Sequence, residues 1–422
     1  VWRPPGDKSI SHRAAILGLL ARGTTEIENF LEADDCLRTL HIVQQLGAEA
    51  EPLGAAHWRI AGRGGEMLRE PTEVLDAGNS GTTTRLIAGV LASYPIFSVL
   101  TGDASLRRRP MRRIVEPLQR MGAHIDGRES ATRLPLSIRG DALRGIKHLS
   151  PVASAQVKSC ILLAGLNAHG VTEITEPTLS RDHTERMLRA FGAELETQIC
   201  TAGAYRVRLR GGQTLEGQKL IVPGDFSSAA FWIAAALLLP GSDLVIEHVG
   251  VNPTRVGLLE ALAQAGVHLE WSNVDEQVGE PTATLRVKPQ PLGAMSVHGA
   301  LIPSLIDEVP ILALLATQAH GITEIRDAAE LRVKESDRIE AITAELRKMG
   351  AQIEPLPDGL RIQGPTTLHG AEVQSHGDHR IAMMLAVAGL IAQGETVVHD
   401  VECVQTSFPE FDALLHRLVE YA

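Results

Sequence analysis

The sequence predicts an α/β protein built from six similar repeat units, and three observations carry the prediction. An apolar run of roughly 12 to 16 residues, rich in Ala, Leu and Ile, recurs along the chain, each time followed by a β-branched stretch. Most copies lead into an amphipathic segment that closes on a hydrophobic residue, Gly and a small residue. The phrases return about every 70 to 84 residues, so the 422 residues hold six copies of a helix-strand-helix-strand module. With 44% apolar and 22% charged residues, the chain has material for two to three domains with large cores, and disorder is excluded.

The clearest copies of the first phrase end in GTTEI at Gly23, GVTEI at Gly170 and GITEI at Gly321. GSDLVI at Gly241 and GETVVH at Gly394 are looser copies, and SYPIFSVL from Ser93 holds the equivalent place after Ala92 without the glycine. The second phrase ends in Leu46-Gly47-Ala48, Met121-Gly122-Ala123, Phe191-Gly192-Ala193, Ala265-Gly266-Val267 and Met349-Gly350-Ala351. Glycine directly after the last apolar turn is a helix stop. The longest apolar runs, such as Phe226 to Leu239, fall short of the roughly 20 residues of a membrane span, so these segments are buried helices.

The six apolar helices share a polar start. They open with DKSISHR from Asp7, NSGTTTR from Asn79, SAQVKS from Ser154, DFSSAA from Asp225, IDEVP around Asp307 and DHRIAM from Asp378. Ser, Asp and Asn cap helices because a side-chain oxygen accepts an amide proton of the first turn. Capping does not account for Lys8, Arg13, Arg85, Lys158 and Arg380, which lie within a turn or two of those starts. A helix N-terminus beside a cation is an anion site, and several such ends meeting in one cleft would hold a substrate with several negative charges.

Composition narrows the class further. Lys+Arg 40 against Asp+Glu 51 gives a net charge of -11, and aromatics make up 3%, so there is neither a basic footprint nor a stacking surface for nucleic acid. Cys36, Cys160, Cys200 and Cys403 lie far apart with no metal-ligand spacing, so no metal site is expected and a reducing, cytoplasmic setting fits. No charged stretch leading into an apolar run opens the chain, although Val1 at position one suggests trimming; secretion and membrane attachment are not expected.

Three clusters carry chemistry. PGDKSISHR puts Gly6 at a turn and Lys8, Ser9 and Arg13 near one helix start, with Ser9 and Arg13 four apart on one face. No GxxxxGK[ST] occurs, which removes a nucleotide-hydrolase function. SLRRRPMRR packs Arg107, Arg108, Arg109, Arg112 and Arg113 together; such runs ordinarily form a solvated face, and in an acidic chain this one is the strongest local attractor for an anion. ELRVKESDR spaces Lys334 and Arg338 at i,i+4 on one helical face beside Glu335 and Asp337.

PGDKSISHR, GNSGTTTR, RRRPM, SAQVKS, SRDHTE, the Asp307-Glu308 pair, LRVKESDR, GDHRIAM and TSFPEF occur in the order found in EPSP synthases, and the chain resembles that family over nearly its whole length. The resemblance implies two domains of three repeat units each, with helix N-termini converging on an interdomain cleft that closes on substrate. Residues 1-6 and 224-422 would form one domain and 7-223 the other. It implies transfer of the enolpyruvyl group of phosphoenolpyruvate to the 5-hydroxyl of shikimate 3-phosphate, through a tetrahedral ketal phosphate that eliminates inorganic phosphate. Both substrates carry phosphate and carboxylate, which Arg recognises in bidentate fashion.

Carried over position by position, the resemblance gives shikimate 3-phosphate to Lys8, Ser9, Arg13, Ser154, Ala155, Gln156, Arg181, Asp307 and Lys334. It gives phosphoenolpyruvate to Lys8, Asn79, Gly81, Arg109, Gln156, Arg338 and Arg380. Asp307 is the expected base at the 5-hydroxyl, Glu335 the candidate for proton exchange at the methylene carbon, and Lys8 the group that helps to protonate or stabilise the adduct. SAQVKS and TSFPEF match the less common class of the family: Ala155 stands where the other class has Ser, and Thr406 where it has a Lys that reaches phosphoenolpyruvate. That class implies no required cofactor, activation by a monovalent cation, and a monomer without nucleic-acid or membrane partners. Gly81 leaves room for the inhibitor glyphosate, and Leu86 stands where the sensitive class usually has Pro.

Two alternatives share features with this assignment. UDP-N-acetylglucosamine enolpyruvyl transferase has the same six-unit architecture, but normally carries Cys in the loop aligned with Arg107 to Met111 and a KN pair in place of Lys8-Ser9. A non-catalytic anion-binding protein would use the helix starts and the Arg run and have no need of Asp307 and Glu335.

Overall fold

The computed structural model describes residues 1–64 and 67–419. The six apolar segments are helices: Lys8–Leu20, Gly81–Ala92, Ala155–Gly165, Phe226–Leu238, Val309–Gln318 and His379–Gly389. Residues apolar on every side of a helix axis leave no face for water, and Phe226–Leu238 is accordingly buried from Phe226 to Leu237. Most of these helices link two strands that pair in parallel, the connection that parallel pairing demands. Gly81–Ala92 links Leu75–Asp76 to Phe97–Thr101, and Ala155–Gly165 links Lys147–Leu149 to Val171–Glu176. Val309–Gln318 links Ser296–Val297 to Gly321–Ile325, and His379–Gly389 links Glu372–Gln374 to Val397–His399.

The other two helices exchange their leading strands. Lys219–Ile221, which leads into Phe226–Leu238, pairs in parallel with Thr24–Glu28, the strand that follows Lys8–Leu20. Trp2, which precedes Lys8–Leu20, bridges in parallel to Ile246 in Leu244–Gly250. The chain therefore divides into two domains: Val1–Pro5, Gly224–Asp275 and the chain from Pro281 form one, Gly6–Pro223 and Glu276–Glu280 the other. The sequence placed Gly6 and Glu276–Glu280 in the opposite domain. Val278 packs against the core that holds Ile10 to Val222, and Glu280 lies 2.7 Å from His183 Nδ1, which draws that segment across. Each domain closes its own core, from Ile10 to Val222 in one and from Phe226 to Leu414 in the other.

The module also differs from the expected one. After the second, amphipathic helix come two antiparallel strands, not one: Glu49–Gly54 with His57–Ala61 and Gln352–Leu356 with Gly359–Gly364 are examples. The inner strand then pairs with the strand that follows the apolar helix, giving four-stranded sheets in most repeats. The sixth repeat departs from this pattern. Among the described residues its sheet consists of Glu372–Gln374 and Val397–His399, followed by the short helical turns of Val401–Thr406 and the helix Phe411–Val419.

Small residues set how closely the apolar helices approach. A methyl group on Gly89 would overlap the carbonyl of Cys160, so Gly81–Ala92 and Ala155–Gly165 touch backbone to backbone. Gly6 is required for the same reason and not for a turn: a side chain there would run into the Asn29 carbonyl. A buried polar chain ties three helices together. His12 Nδ1 lies 2.7 Å from Thr39 Oγ1, which lies 2.7 Å from Thr83 Oγ1, itself 2.7 Å from Ser80 Oγ. Burial, helped by Lys8 and Arg13, holds the His12 imidazole well below its ordinary pKa, so it is neutral at pH 7.

Candidate active site

The helix starts are capped as the sequence leads one to expect, with shifts of a residue. Asp7 accepts from the Ile10 amide, Asp225 from those of Ser227 and Ser228, and Asp378 from that of Arg380. In the second repeat Ser80 is the cap and not Asn79, because Ser80 Oγ reaches the Thr83 amide at 3.1 Å. Ser154 makes no side-chain cap bond, and the Val309 helix begins after Glu308 with Pro310 in its first turn.

In the domain of Gly6–Pro223 the predicted residues form two linked groups. Lys8, first residue of its helix, places Nζ 2.5 Å from Asp35 Oδ2. Arg109 is the one member of the Arg107 to Arg113 run that turns inward: it is buried while Arg107, Arg108, Arg112 and Arg113 are exposed. Its Nη2 donates to Asn79 Oδ1 at 2.7 Å, and Asn79 donates in turn to Asp103 Oδ2 at 2.6 Å. Arg85 Nη1 donates to Gln156 Oε1 at 2.7 Å, and Gln156 Nε2 donates to Thr82 Oγ1 at 2.9 Å. Gly81 lies under both guanidinium groups, with a Cβ position 2.6 Å from Arg85 Nη1 and 3.2 Å from Arg109 Nη1. Asn79, Gly81, Arg109 and Gln156 are thus brought together, with Arg85 among them.

Two cations of that domain are buried among protein partners. Lys158 is buried, with Nζ 3.0 Å from Glu176 Oε2 and 2.8 Å from Glu185 Oε1, and belongs to the interior. Burial works against its charge, but Glu185 and Glu176 outweigh it, so the ammonium is held protonated. Arg13 is also buried. Its Nε donates to Thr184 Oγ1 at 2.7 Å, Nη2 to Ser159 Oγ at 2.8 Å and Nη1 to the Ser9 carbonyl at 2.9 Å, the last realising the expected i,i+4 contact. Burial pushes its pKa down to about 10 against the pull of Glu185, Asp7 and Glu280. Ser154, Ala155 and Arg181 remain at the surface of this domain, partly exposed.

In the other domain Arg338 is the hub. Its side chain is 1% exposed, and it donates to Asp378 Oδ2 at 2.7 Å, Glu335 Oε2 at 2.7 Å and Asp307 Oδ1 at 3.2 Å. Burial opposes its charge, while Asp378, Glu335 and Asp307 together raise its pKa above the ordinary value. Lys334 Nζ lies 3.4 Å from the same Asp307 oxygen, and Arg380 Nη1 donates to the Asp307 carbonyl at 3.3 Å. Asp307, Lys334, Glu335, Arg338 and Arg380 are therefore one cluster. Lys334 and Arg338 are not on one helical face: the helix begins at Arg338, capped by Asp337, and Lys334 ends a preceding short turn. Behind them Glu308 is buried against Ser227 Oγ, with Arg255 Nη1 at 3.5 Å and Arg380 Nη1 at 3.9 Å. Thr406 Oγ1 is turned onto the Cys403 carbonyl at 2.8 Å.

The family model for EPSP synthase (3-phosphoshikimate 1-carboxyvinyltransferase) matches residues 1–415. The chain belongs to the EPSP synthase family. It is 53% identical over 416 residues to a 3-phosphoshikimate 1-carboxyvinyltransferase of Desulfitobacterium hafniense, covering 99% of this chain and 94% of the relative. It is 55% identical to one of Pelotomaculum thermopropionicum, covering 98% and 95%. A solved structure of EPSP synthase from Acinetobacter baumannii superimposes with a TM-score of 0.86 at 44% identity, covering 99% of this chain and 94% of that one. Neither the sister transferase nor a binding protein without catalysis is favoured by these matches.

Against the EPSP synthase pattern, sequence reasoning passed over the anions that hold the cations: Asp35, Asp378, Glu308, Glu176 and Glu185. Asp378 was visible as a cap, and a cap one turn from Arg338 in space is not visible in a sequence. Among the described residues one group has carboxylates and an imidazole close enough to hold a metal ion, Glu26, Glu28 and His57. Lys219 lies on it, 3.2 Å from Glu26 and 3.3 Å from Glu28, and it is separate from the clusters above.

Proposed function

We infer that the protein transfers the enolpyruvyl group of phosphoenolpyruvate to the 5-hydroxyl of shikimate 3-phosphate. The observation that carries the reading, beside family membership, is that two carboxylates, Asp307 and Glu335, share one buried guanidinium in a cluster of cations. A purely structural role has no use for that many charges removed from water. The hydroxyl oxygen bonds to C2 of phosphoenolpyruvate as Asp307 takes its proton, and C3 receives a proton from the protonated Glu335 carboxyl to give the tetrahedral adduct. Loss of a proton from that methyl group to Glu335 then restores the double bond as the C2–O bond to phosphate breaks. Lys8 stabilises the adduct, Asn79, Gly81, Gln156, Arg109, Arg338 and Arg380 serve phosphoenolpyruvate, and Ser9, Arg13, Ser154, Ala155, Gln156, Arg181 and Lys334 serve shikimate 3-phosphate.

The steps consist of proton transfers and charge stabilisation, so none is routed through a cofactor. We propose a monovalent cation as activator, to be tested by comparing rates in potassium, sodium and tetramethylammonium salts at equal ionic strength. We also propose a cytoplasmic monomer, a reading supported by four free cysteines and checked by light scattering. No single helix among the described residues is long and apolar enough to cross a membrane. The deciding experiment is phosphate release measured with each substrate alone and with both. Release only with both supports the reading. Release with UDP-N-acetylglucosamine in place of shikimate 3-phosphate, or binding of both substrates without release, overturns it.

A further inference from the structure

Glu176 ends the strand Val171–Glu176 and its side chain is 1% exposed. Its carboxylate gathers groups from three places. The Ser154 amide donates to Oε1 at 2.8 Å, the Ser180 hydroxyl donates to Oε2 at 2.7 Å, and Lys158 Nζ stands 3.0 Å from Oε2. Ser154 immediately precedes the helix Ala155–Gly165 and has no side-chain cap bond of its own. Ser180 immediately precedes Arg181. One buried carboxylate therefore fixes both the start of that helix and the turn that carries Arg181.

Lys158 secures the carboxylate in turn. It bridges to Glu185 at 2.8 Å, donates to the Ser180 carbonyl at 3.3 Å and lies 5.1 Å from the centre of the Tyr205 ring. Replacing such a pair as a whole with apolar groups is often neutral for stability, whereas removing one partner strands the other, so a buried ion pair is weak evidence of a stabilising role and better evidence of a geometric one. What is held here is the placement of a helix start, where phosphates are received, and of a neighbouring arginine; the Ser154 amide itself is taken by Glu176.

We propose that Glu176 is a positioning residue for shikimate 3-phosphate, holding the Ser154 amide and the Ser180-Arg181 turn in register. The proposal rests on the reading of Ser154 and Arg181 as contacts of that substrate. The test is calorimetric binding of shikimate 3-phosphate, steady-state kinetics and melting temperature for the wild type, Glu176→Gln, Glu176→Ala and Ser180→Ala. Gln keeps an oxygen for the Ser154 amide and Ala does not. The expected result is a Kd and KM for shikimate 3-phosphate about tenfold higher or more in Glu176→Ala, with a smaller rise in Glu176→Gln. KM for phosphoenolpyruvate should change less than about twofold in both. Ser180→Ala removes one small hydroxyl and keeps the test decisive if Glu176→Ala does not fold; it should raise the shikimate 3-phosphate Kd about threefold or more. A lower melting temperature with unchanged Kd, or equal rises in both KM values, overturns the positioning role. A wild type that does not bind shikimate 3-phosphate overturns the substrate reading itself, and the positioning role falls with it.

Discussion

Replacing Gly81 by Ala adds one methyl group where two guanidinium groups already stand. The new carbon would sit 2.6 Å from Arg85 Nη1 and 3.2 Å from Arg109 Nη1, where ordinary contact begins near 3.4 Å. Arg109 has to give by about 0.2 Å, a shift its Asn79 hydrogen bond can absorb. Arg85 Nη1, the far end of a flexible side chain, has to retreat by about 0.8 Å, which loosens its 2.7 Å bond to Gln156. Gln156 is tied to Thr82 and does not follow. The substitution thus strains one charge-assisted hydrogen bond and overpacks one methyl against mobile side-chain ends, a combined cost of about 1 to 2 kcal/mol. If that loss falls on the contacts these arginines make with phosphoenolpyruvate, about 1 to 2 kcal/mol corresponds to a 5- to 30-fold rise in its KM.

The assay is phosphate release at saturating shikimate 3-phosphate, titrating phosphoenolpyruvate with and without glyphosate. The wild type should be inhibited competitively, since Gly81 leaves the space open. Leu86 is fully buried in the core, so an effect from it would have to be transmitted through the helix. Because glyphosate is slightly longer than phosphoenolpyruvate, the methyl should raise its inhibition constant more than the substrate KM. Equal rises in the two constants, or a wild type indifferent to millimolar glyphosate, would refute the steric argument and leave Leu86 or the Arg109 loop in control.

Lys8→Met should lower kcat/KM at least about tenfold, and a smaller loss counts against a cation shared by both substrates; because it also strands Asp35, melting temperature has to be measured beside activity. Asp307→Ala and Glu335→Ala should each lower kcat by roughly 10²-fold or more while shikimate 3-phosphate still binds, and near-normal turnover with intact binding removes their acid-base roles. His12 predicts the sign of one pH effect. Its folded pKa lies below the unfolded value near 6.5, so the unfolded chain binds the extra proton, and stability falls as pH drops through and below that value. His12→Asn should remove up to about 1.4 kcal/mol per pH unit of that slope in denaturant unfolding between pH 7 and 5, and an unchanged slope shows that other groups set it.

The six apolar helices were legible because they are apolar all round, and the stops of the amphipathic helices because glycine takes the left-handed conformation there, as Gly122 does with φ 117° after the helix Arg112–Met121. That same all-round burial hid which way Lys158 and Arg13 point. Periodicity separates a wet face from a dry one, and these helices have only dry ones, so an inward lysine looks like an outward one. Their partners Glu176, Glu185 and Thr184 lie on other elements. The exchanged strands were invisible for a simpler reason: a three-residue strand such as Lys219–Ile221 is too short to show an alternation. The start of the Arg338 helix could have been found. Asp337 followed three residues later by Glu340 is a capping pattern, and the Asp337 carboxylate does accept from the Glu340 amide at 3.2 Å.

An acidic protein that receives polyanions faces a conflict, and the two clusters show how it is met. A cation left unpaired out of water is costly, so Lys8 is held by Asp35, Lys334 by Asp307, and Arg338 by Asp378, Glu335 and Asp307. Every such carboxylate lowers the net attraction that an incoming phosphate feels. Arginine softens the conflict, since a guanidinium has five donors and can serve a carboxylate on one edge while another edge remains for a ligand. The helix starts resolve the rest. First-turn amides have no partner within the helix and carry partial positive charge; a cap such as Asp7, Asp225 or Asp378 takes only one or two of them, and the helix end still favours an anion. Lys8, Arg85, Arg338 and Arg380 accordingly stand within the first turns of their helices, and the glycine that begins one of those helices cannot accept a methyl group without disturbing the arginines above it.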